Sequence, residues 1–456
     1  MKETKLAFIA DTHFFSKTLA DNGRQYHLRS GSDQKCLKES GDLIDAGFAK
    51  LAQSDCDAVL IAGDVTNDGE TVCHEEFREK LRVLQKHKSV YLITATHDWC
   101  SDDNPRRFAG DLILHDVPTM HHTALRDFYA DFGPNQADSE FRTHLGVCSF
   151  TVDVGENVRI LALNDDQNGR GGAGFSEEHF QWIEAQMMKA KQDGKLVIGM
   201  EHHLLIAHVH PLVFGGGTCV AEREMVASRL ADAGLRYMFV GHSHISAIDS
   251  FTSKKGNTIT EVNIGSLVGY PAPILYVTVK EDGLHIQMDR IERFTYEGKE
   301  YDAQAYLAQH ATDLFDRAME GALISKQELA DRLTALQLKG DELKNLYYIL
   351  HPVAKLYFGA TVNTLAKCMR LVGLGRFLDP AAVRQYRDKP FRDFVHETWL
   401  SILDGHGLGS EDENYKKLVL GVADALVQVR ACKLTLEIRQ MLRTIVTSDY
   451  FKDAVI

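Results

Sequence analysis

The 456-residue chain is 44% hydrophobic and 25% charged, with a formal net charge of −13, the make-up of an ordinary globular protein. The acidic balance argues against a surface that coats a nucleic-acid polymer, while leaving room for a small phosphate ligand, because a bound cation inverts the local field. No apolar run approaches the ~18 residues of a membrane helix, and Leu6–Ala10 is too short for a signal-peptide core, so the expectation is a cytoplasmic protein with no membrane partner.

In chain order, short aliphatic and β-branched runs predict strands at Leu6–Ala10, Ala58–Ala62, Val90–Thr94, Val158–Leu163, Leu196–Met200 and Tyr237–Val240. Helical spacing falls between several of them, at Leu43–Ala52, Glu75–Gln85, Ser176–Lys191 and Ala221–Ala233, with Ser176 placed as an N-cap before Glu177 and Glu178. Phe14 to Lys50 reads as a polar loop that becomes helical, an insertion beside a site. After Gly241 the texture turns to hairpin strands, Thr258–Ile264, Ile274–Val279 and Leu284–Met288. Alternation followed by hairpins predicts a layered α/β sandwich over residues 1–298.

Residues 299–456 carry no convincing strand. Ser325-Lys326-Gln327-Glu328 is a capping box opening a helix that Gly340 would stop, and further helical patterns cover Asp341–Tyr357, Val362–Leu371, Phe391–Leu403, Glu413–Val429 and Leu434–Ile445. This predicts a second, all-helical domain. The eight cysteines form no C-x-x-C pair, as expected of free thiols.

Chemistry concentrates where the predicted strands end. Leu6–Ala10 runs into Asp11-Thr12-His13, Ala58–Ala62 into Gly63-Asp64, Val90–Thr94 into Ala95-Thr96-His97-Asp98, Leu196–Met200 into Glu201-His202-His203, and Tyr237–Val240 into Gly241-His242-Ser243-His244. Loops at the carboxyl ends of strands in open α/β sheets converge on ligands. In Asp11-x-His13 and His242-x-His244 the paired side chains leave an extended segment on one side and can reach one cation. Gly63 and Gly241 let the backbone approach it. Asp64 has two oxygens and can bridge two cations, and mixed Asp and His ligands suit Mn, Fe, Zn or Ni better than Ca or Mg.

The ordered set D-x-H, G-D, H-[D/E], H and G-H-x-H over roughly residues 5–250 resembles the calcineurin-like metallophosphoesterase family. The resemblance implies a four-layer α/β (α+β) sandwich with two mixed sheets flanked by helices. It implies two metal ions, one held by Asp11, His13, Asp64 and His244, the other by Asp64, His202 and His242. It gives His97 a phosphate-contacting, acid role, with Asp98 fixing its ring. The insertion and the helical extension are similar to cyclic-nucleotide-phosphodiesterase members of bacteria. One position departs: the family's asparagine ligand is Thr96 here, whose hydroxyl is a poorer ligand, so a weaker second metal site is expected.

The implied activity is hydrolysis of a small phosphate ester, with a phosphodiester of the cyclic-nucleotide type preferred. A phosphomonoesterase or nucleotide pyrophosphatase on the same core is the alternative, and a non-catalytic metal-binding scaffold a third. The helical domain is expected either to cap the pocket or to make a homo-oligomer. With 21 histidines in the chain, isolated ones such as His74, His87 and His310 read as structural or solvated, and His121-His122 as solvated. His202 is preferred to His203 as the ligand, and Glu201 reads as a packed neighbour. Asn67 reads as a loop former, and the runs Gly169–Gly174 and Gly215–Gly217 as loops rather than phosphate cradles.

Overall fold

The structure is a computed structural model that describes residues 3–166, 173–207, 219–333, 340–405, 412–426, 451 and 454–456. The predicted helix Leu434–Ile445, the run Gly215–Gly217, most of Gly169–Gly174 and Cys432 lie outside these residues. The strands are β1 (Thr4–Ile9), β2 (Ala58–Ala62), β3 (Ser89–Ile93), β4 (Arg107–Ala109), β5 (Leu112–Leu114), β6 (Ser139–Arg142), β7 (Cys148–Val154), β8 (Val158–Ala162), β9 (Leu196–Met200), β10 (Tyr237–Val240), β11 (Ala247–Thr252), β12 (Thr258–Asn263), β13 (Pro273–Lys280), β14 (Gly283–Arg290), β15 (Arg293–Tyr296), β16 (Lys299–Asp302) and β17 (Ala454–Val455).

Two mixed sheets face each other. The first has six strands in the order β17-β14-β13-β1-β2-β3, with β1, β2 and β3 parallel and the rest antiparallel. The second has seven in the order β11-β12-β10-β9-β8-β7-β6, parallel from β12 to β8. Ala58–Ala62 and Val158–Ala162 are buried along their whole length, which is why they read as unbroken apolar runs rather than alternating ones. Between the sheets, Leu6, Phe8, Leu60, Ile160, Ile198 and Phe239 form one core, and the Phe8 and Phe239 rings stack with centroids 3.9 Å apart.

The outer face of the first sheet is covered by helices Ser40–Gln53 and Thr71–Gln85. The second is covered by Glu177–Gln192 and Arg223–Ala233. The fold is therefore the layered sandwich expected. The Ser176 hydroxyl accepts from His179 N at 3.2 Å, as an N-cap should.

The β15–β16 hairpin leads into helix Ala303–Ile324, the first of a helical region with its own core around Met319, Leu329, Tyr357, Phe391 and Leu418. Ser325 caps the next helix through Glu328 N at 3.0 Å. That helix ends at Arg332, and Gly340 sits with positive φ at the start of helix Gly340–Tyr357 rather than closing the one before it. Near its C-terminus the chain returns to the sandwich, where β17 pairs with β14. Ile245, Ala311, Ile402 and Leu403 join the two regions close to the loop that carries His242 and His244. Among the described residues all seven cysteines are free thiols, and no helix is long and apolar enough to cross a membrane.

Candidate metal centre

Asp11 and His13 follow β1, Asp64 follows β2, Thr96 to Asp98 form a tight 3-10 turn after β3, His202 and His203 follow β9, and His242 and His244 follow β10. Both sheets thus end their parallel strands at one place. Five of these residues have left-handed backbone: Asp11, His13, Asp64, His242 and His244, with φ between 37° and 69°. Each such turn costs a non-glycine residue about 1–2 kcal/mol, and their clustering marks a loop set bent to aim side chains. Gly63 and Gly241 cannot be replaced without intrusion: a Cβ would fall 2.7 Å from His202 Nδ1 in the first case and 2.4 Å from Asp11 Oδ2 in the second.

The predicted ligands come together. His13 Nε2 lies 3.1 Å from His244 Nε2 and 3.6 Å from Asp11 Oδ1, and His244 Nε2 is 3.3 Å from Asp11 Oδ1. His202 Nε2 lies 3.0 Å from Asp64 Oδ2 and 3.2 Å from His242 Nδ1. His13 Nε2 is 3.9 Å from Asp64 Oδ2, so Asp64 lies between the two groups. Each of the sets Asp11–His13–His244 and Asp64–His202–His242 has its ligand atoms within 4.8 Å of one another. A buried Asp11 Oδ1 with no hydrogen-bond partner is costly as it stands, and with imidazole nitrogens converging on it the group fits a cation well.

Surrounding bonds fix the ligands. His242 N donates to Asp11 Oδ2 at 2.9 Å, His202 Nδ1 donates to the Ala62 carbonyl at 2.7 Å, and His97 N donates to Asp64 Oδ1 at 3.0 Å. Burial opposes charge on Asp11 and Asp64, but His244 and His13 around the first, and His202 and His97 around the second, hold both carboxyls well below the usual range. Burial, and then the Lys35 ammonium, lowers His13 to about 3. Burial also holds His242 well below its ordinary value, with the His203 and His202 rings adding to it. Burial opposes charge on His202, but Asp64 and then Asp11 outweigh it and raise its pKa well above the ordinary value, so a cation bound there would displace the proton of this ring.

His97 stands at the rim, its side chain 35% exposed, and joins His13 and Asp64 in a third set of groups within 4.8 Å. Its partner is not the one expected. The Asp98 carboxylate turns back to accept from Ala95 N at 2.9 Å, Thr66 N at 2.9 Å and Thr66 Oγ1 at 3.0 Å, so it clamps the two loops after β2 and β3. The 3-10 turn aims neighbouring side chains in different directions. The His97 ring is held instead by the Asn67 carbonyl, which accepts from Nδ1, and by Asp68 Oδ1 at 3.7 Å. Asp68 is in turn bound by both arms of buried Arg106, at 2.8 and 2.7 Å. Burial opposes a charged His97 ring, but Asp64 and then Asp68 outweigh both burial and Lys35, so its pKa lies above the ordinary value.

Sequence reasoning missed other groups. Lys35, from the insertion, is buried with its Nζ 3.5 Å from His13 Nδ1 and 3.9 Å from Asp33 Oδ2; nothing in its local sequence announces it. Asp165 and Asp166, just beyond β8, gather with His203, and the strand-end signal that found the other residues applies equally to them.

The family model of the calcineurin-like phosphoesterases matches residues 4–246. Among solved structures, a dimetal phosphatase from Danio rerio aligns at TM-score 0.43 and 12% identity over 63% of this chain and 96% of its own. A purple acid phosphatase from yellow lupin aligns at 0.40 and 14% over 66% and 53%, and the NAD nucleotidase of Haemophilus influenzae at 0.34 and 12% over 79% and 61%. No curated protein matches the chain.

Proposed function

The chain belongs to the calcineurin-like phosphoesterase family and is a phosphoric ester hydrolase; from that premise we propose that it is a phosphodiesterase acting on a small substrate of the cyclic-nucleotide type. The observation that carries the metal-dependent reading is the placement of Asp64 between Asp11–His13–His244 and His202–His242. Asp11, His13, Asp64 and His244 would hold one cation, and Asp64, His202 and His242 the other, drawn from Mn, Fe, Zn or Ni. When bound, such a pair polarises the phosphoryl group and supplies hydroxide near neutral pH.

The chain's own residues do the rest. Donation from His97 Nδ1 to the Asn67 carbonyl leaves Nε2 for the substrate. The nearby Asp64 and Asp68 carboxylates favour the protonated ring, the form that gives a proton to a departing ester oxygen, a contribution of about 10²–10⁴ in rate. Asp98 holds the His97 loop against the Thr66 loop, so ring and ligands stay in register. The seven cysteines among the described residues, all free thiols, support a cytoplasmic setting.

A second reading, a phosphomonoesterase or nucleotide pyrophosphatase, is favoured by Lys35. Its buried ammonium lies beside His13 with its nearest carboxylate oxygen 3.9 Å away, and a dianionic terminal phosphate would suit it better than a monoanionic diester. Turnover of a bis-aryl phosphate, a mono-aryl phosphate and cyclic nucleotides by the Mn-loaded protein separates the readings. Cleavage of the monoester alone sinks the diesterase proposal, and no turnover of any substrate favours the scaffold.

A further inference from the structure

Beyond the paired ligands lies a second polar group that the chemistry above does not use. Asn164, Asp165 and Asp166 follow β8, and His203 follows β9, the strand beside it. Asp165 is 1%, Asp166 5% and His203 3% exposed. One ligand atom from each lies within 4.8 Å of the other two. His203 Nδ1 sits 3.0 Å from both Asp165 oxygens. Among the described residues, Asp166 Oδ2 accepts a long 3.3 Å bond from Trp99 Nε1, and Asp166 Oδ1 is buried with no partner. Fully buried Glu201 pairs its carboxyl with Asp165, and burial, then Asp165, raises its pKa well above the ordinary value, so it carries the proton of that pair. Among the described residues the buried pair of adjacent carboxylates thus faces the His203 imidazole, with the His202 ring beyond it. A buried Asp166 oxygen without a partner is destabilising as it stands, and a divalent cation shared with Asp165 and His203 satisfies it.

The location gives this group a use. The His203 ring is 4.5 Å from that of His242 and 5.1 Å from that of His202, centroid to centroid. Trp99, which reaches Asp166, belongs to the same short turn as Thr96. The group therefore adjoins the side of the centre where threonine stands in place of the expected amide ligand.

We propose that Asp165, Asp166 and His203 form a further cation site next to the His202–His242 side of the metal pair, taking a borderline divalent ion such as Mn²⁺ or Zn²⁺ through two carboxylates and one imidazole. Binding replaces the proton shared by His203 Nδ1 and Asp165, which leaves to solvent. The neutralised cluster then braces the His203 and His242 rings from behind. The proposal rests on the dinuclear reading only for its use, not for its ligands.

The test is an anomalous-scattering map at the manganese edge from crystals of the full chain grown with MnCl₂, with metal content measured on the same protein. Three peaks are expected, the third bounded by Asp165, Asp166 and His203. In Asp166→Asn that third peak should disappear while the two around Asp64 stay, and content should fall from three ions per chain to two. A wild-type map with peaks only around Asp64 overturns the proposal and leaves Asp165–His203 a hydrogen-bonded pair. A peak at Asp166 with none around Asp64 supports it and sinks the dinuclear reading instead. No peak anywhere overturns both. Persistence of the third peak in Asp166→Asn also overturns it, because Asp166 is then no ligand.

Discussion

Replacing Asp68 by asparagine separates what holds the His97 ring from what merely lies next to it in sequence. Asp68 is 2% exposed and forms a two-pronged pair with Arg106, itself 7% exposed. Asparagine leaves that guanidinium buried and unmatched, and breaking one partner of a buried pair costs about 3–5 kcal/mol. At roughly 2–4 °C per kcal/mol for a domain of 150–250 residues, the metal-saturated protein should melt about 6 °C lower or more. Asp68→Asn combined with Arg106→Gln should recover much of that loss. The same change acts on His97. A unit charge 3.7 Å from Nδ1 is worth about 4.5 kcal/mol at an effective dielectric of ~20, and solvent at the rim and the opposing Arg106 charge reduce it to on the order of 1 kcal/mol, near one pKa unit. Asp68 favours the charged ring, so its removal lowers the His97 pKa. A general acid works protonated, and the high-pH limb of the rate profile should move to lower pH by about one unit. Thermal melts and pH–rate profiles of the three proteins check both parts. An unchanged melting temperature with an unmoved limb would refute the assignment of Asp68 as the residue that positions His97.

Three further outcomes follow from the geometry. Gly241→Ala drives a Cβ to 2.4 Å from Asp11 Oδ2 and 2.8 Å from Ala10 Cβ, so it should destabilise the fold by about 1–3 kcal/mol and lower metal content, read by denaturant unfolding and elemental analysis. Thr96→Asn supplies the amide carbonyl of the family pattern, and should tighten the cation proposed at His202 and His242 on the order of tenfold, about 1.4 kcal/mol, in a chelator competition titration; unchanged affinity would show that Thr96 lies outside the coordination sphere. In the helical region, burial opposes charge on Asp316, but bonds from Arg392 and Tyr357 hold its carboxyl below the usual range. A depressed carboxyl stabilises above its unfolded pKa of about 4 and loses that contribution as pH falls through the folded value. Asp316→Asn should therefore lower the melting temperature at pH 7, with the gap from wild type closing as the pH drops below 4.

Much of this was readable in the sequence because the same physical signal recurs. A strand buried on both faces must be an apolar run, and where it ends a carboxylate or imidazole stands out, as at Asp11, Asp64, His202 and His242. Strands with one solvated face were harder. Ala247–Thr252 and Ser139–Arg142 carry polar residues in sheet-edge positions, and their short alternation is weak beside that of a buried strand. Adjacency misled at Asp98: next to His97 in sequence, it faces the other way because the 3-10 turn folds its carboxylate onto Ala95 N. Asp68 and Arg106 lie far from each other in sequence and meet only in the folded chain. Lys35 was invisible for the same reason, as was the meeting of Asp165 and Asp166 with His203.

The central claim is that Asp64 joins two cations in one centre. Electron paramagnetic resonance of the Mn²⁺-loaded protein tests it most directly, because ions roughly 3.5–4 Å apart and bridged by a carboxylate couple their spins. Wild type should give the spectrum of a coupled pair, and Asp64→Asn only the signals of isolated ions. Isolated-ion signals alone from fully loaded wild-type protein, or a coupled pair that survives Asp64→Asn, would contradict the account.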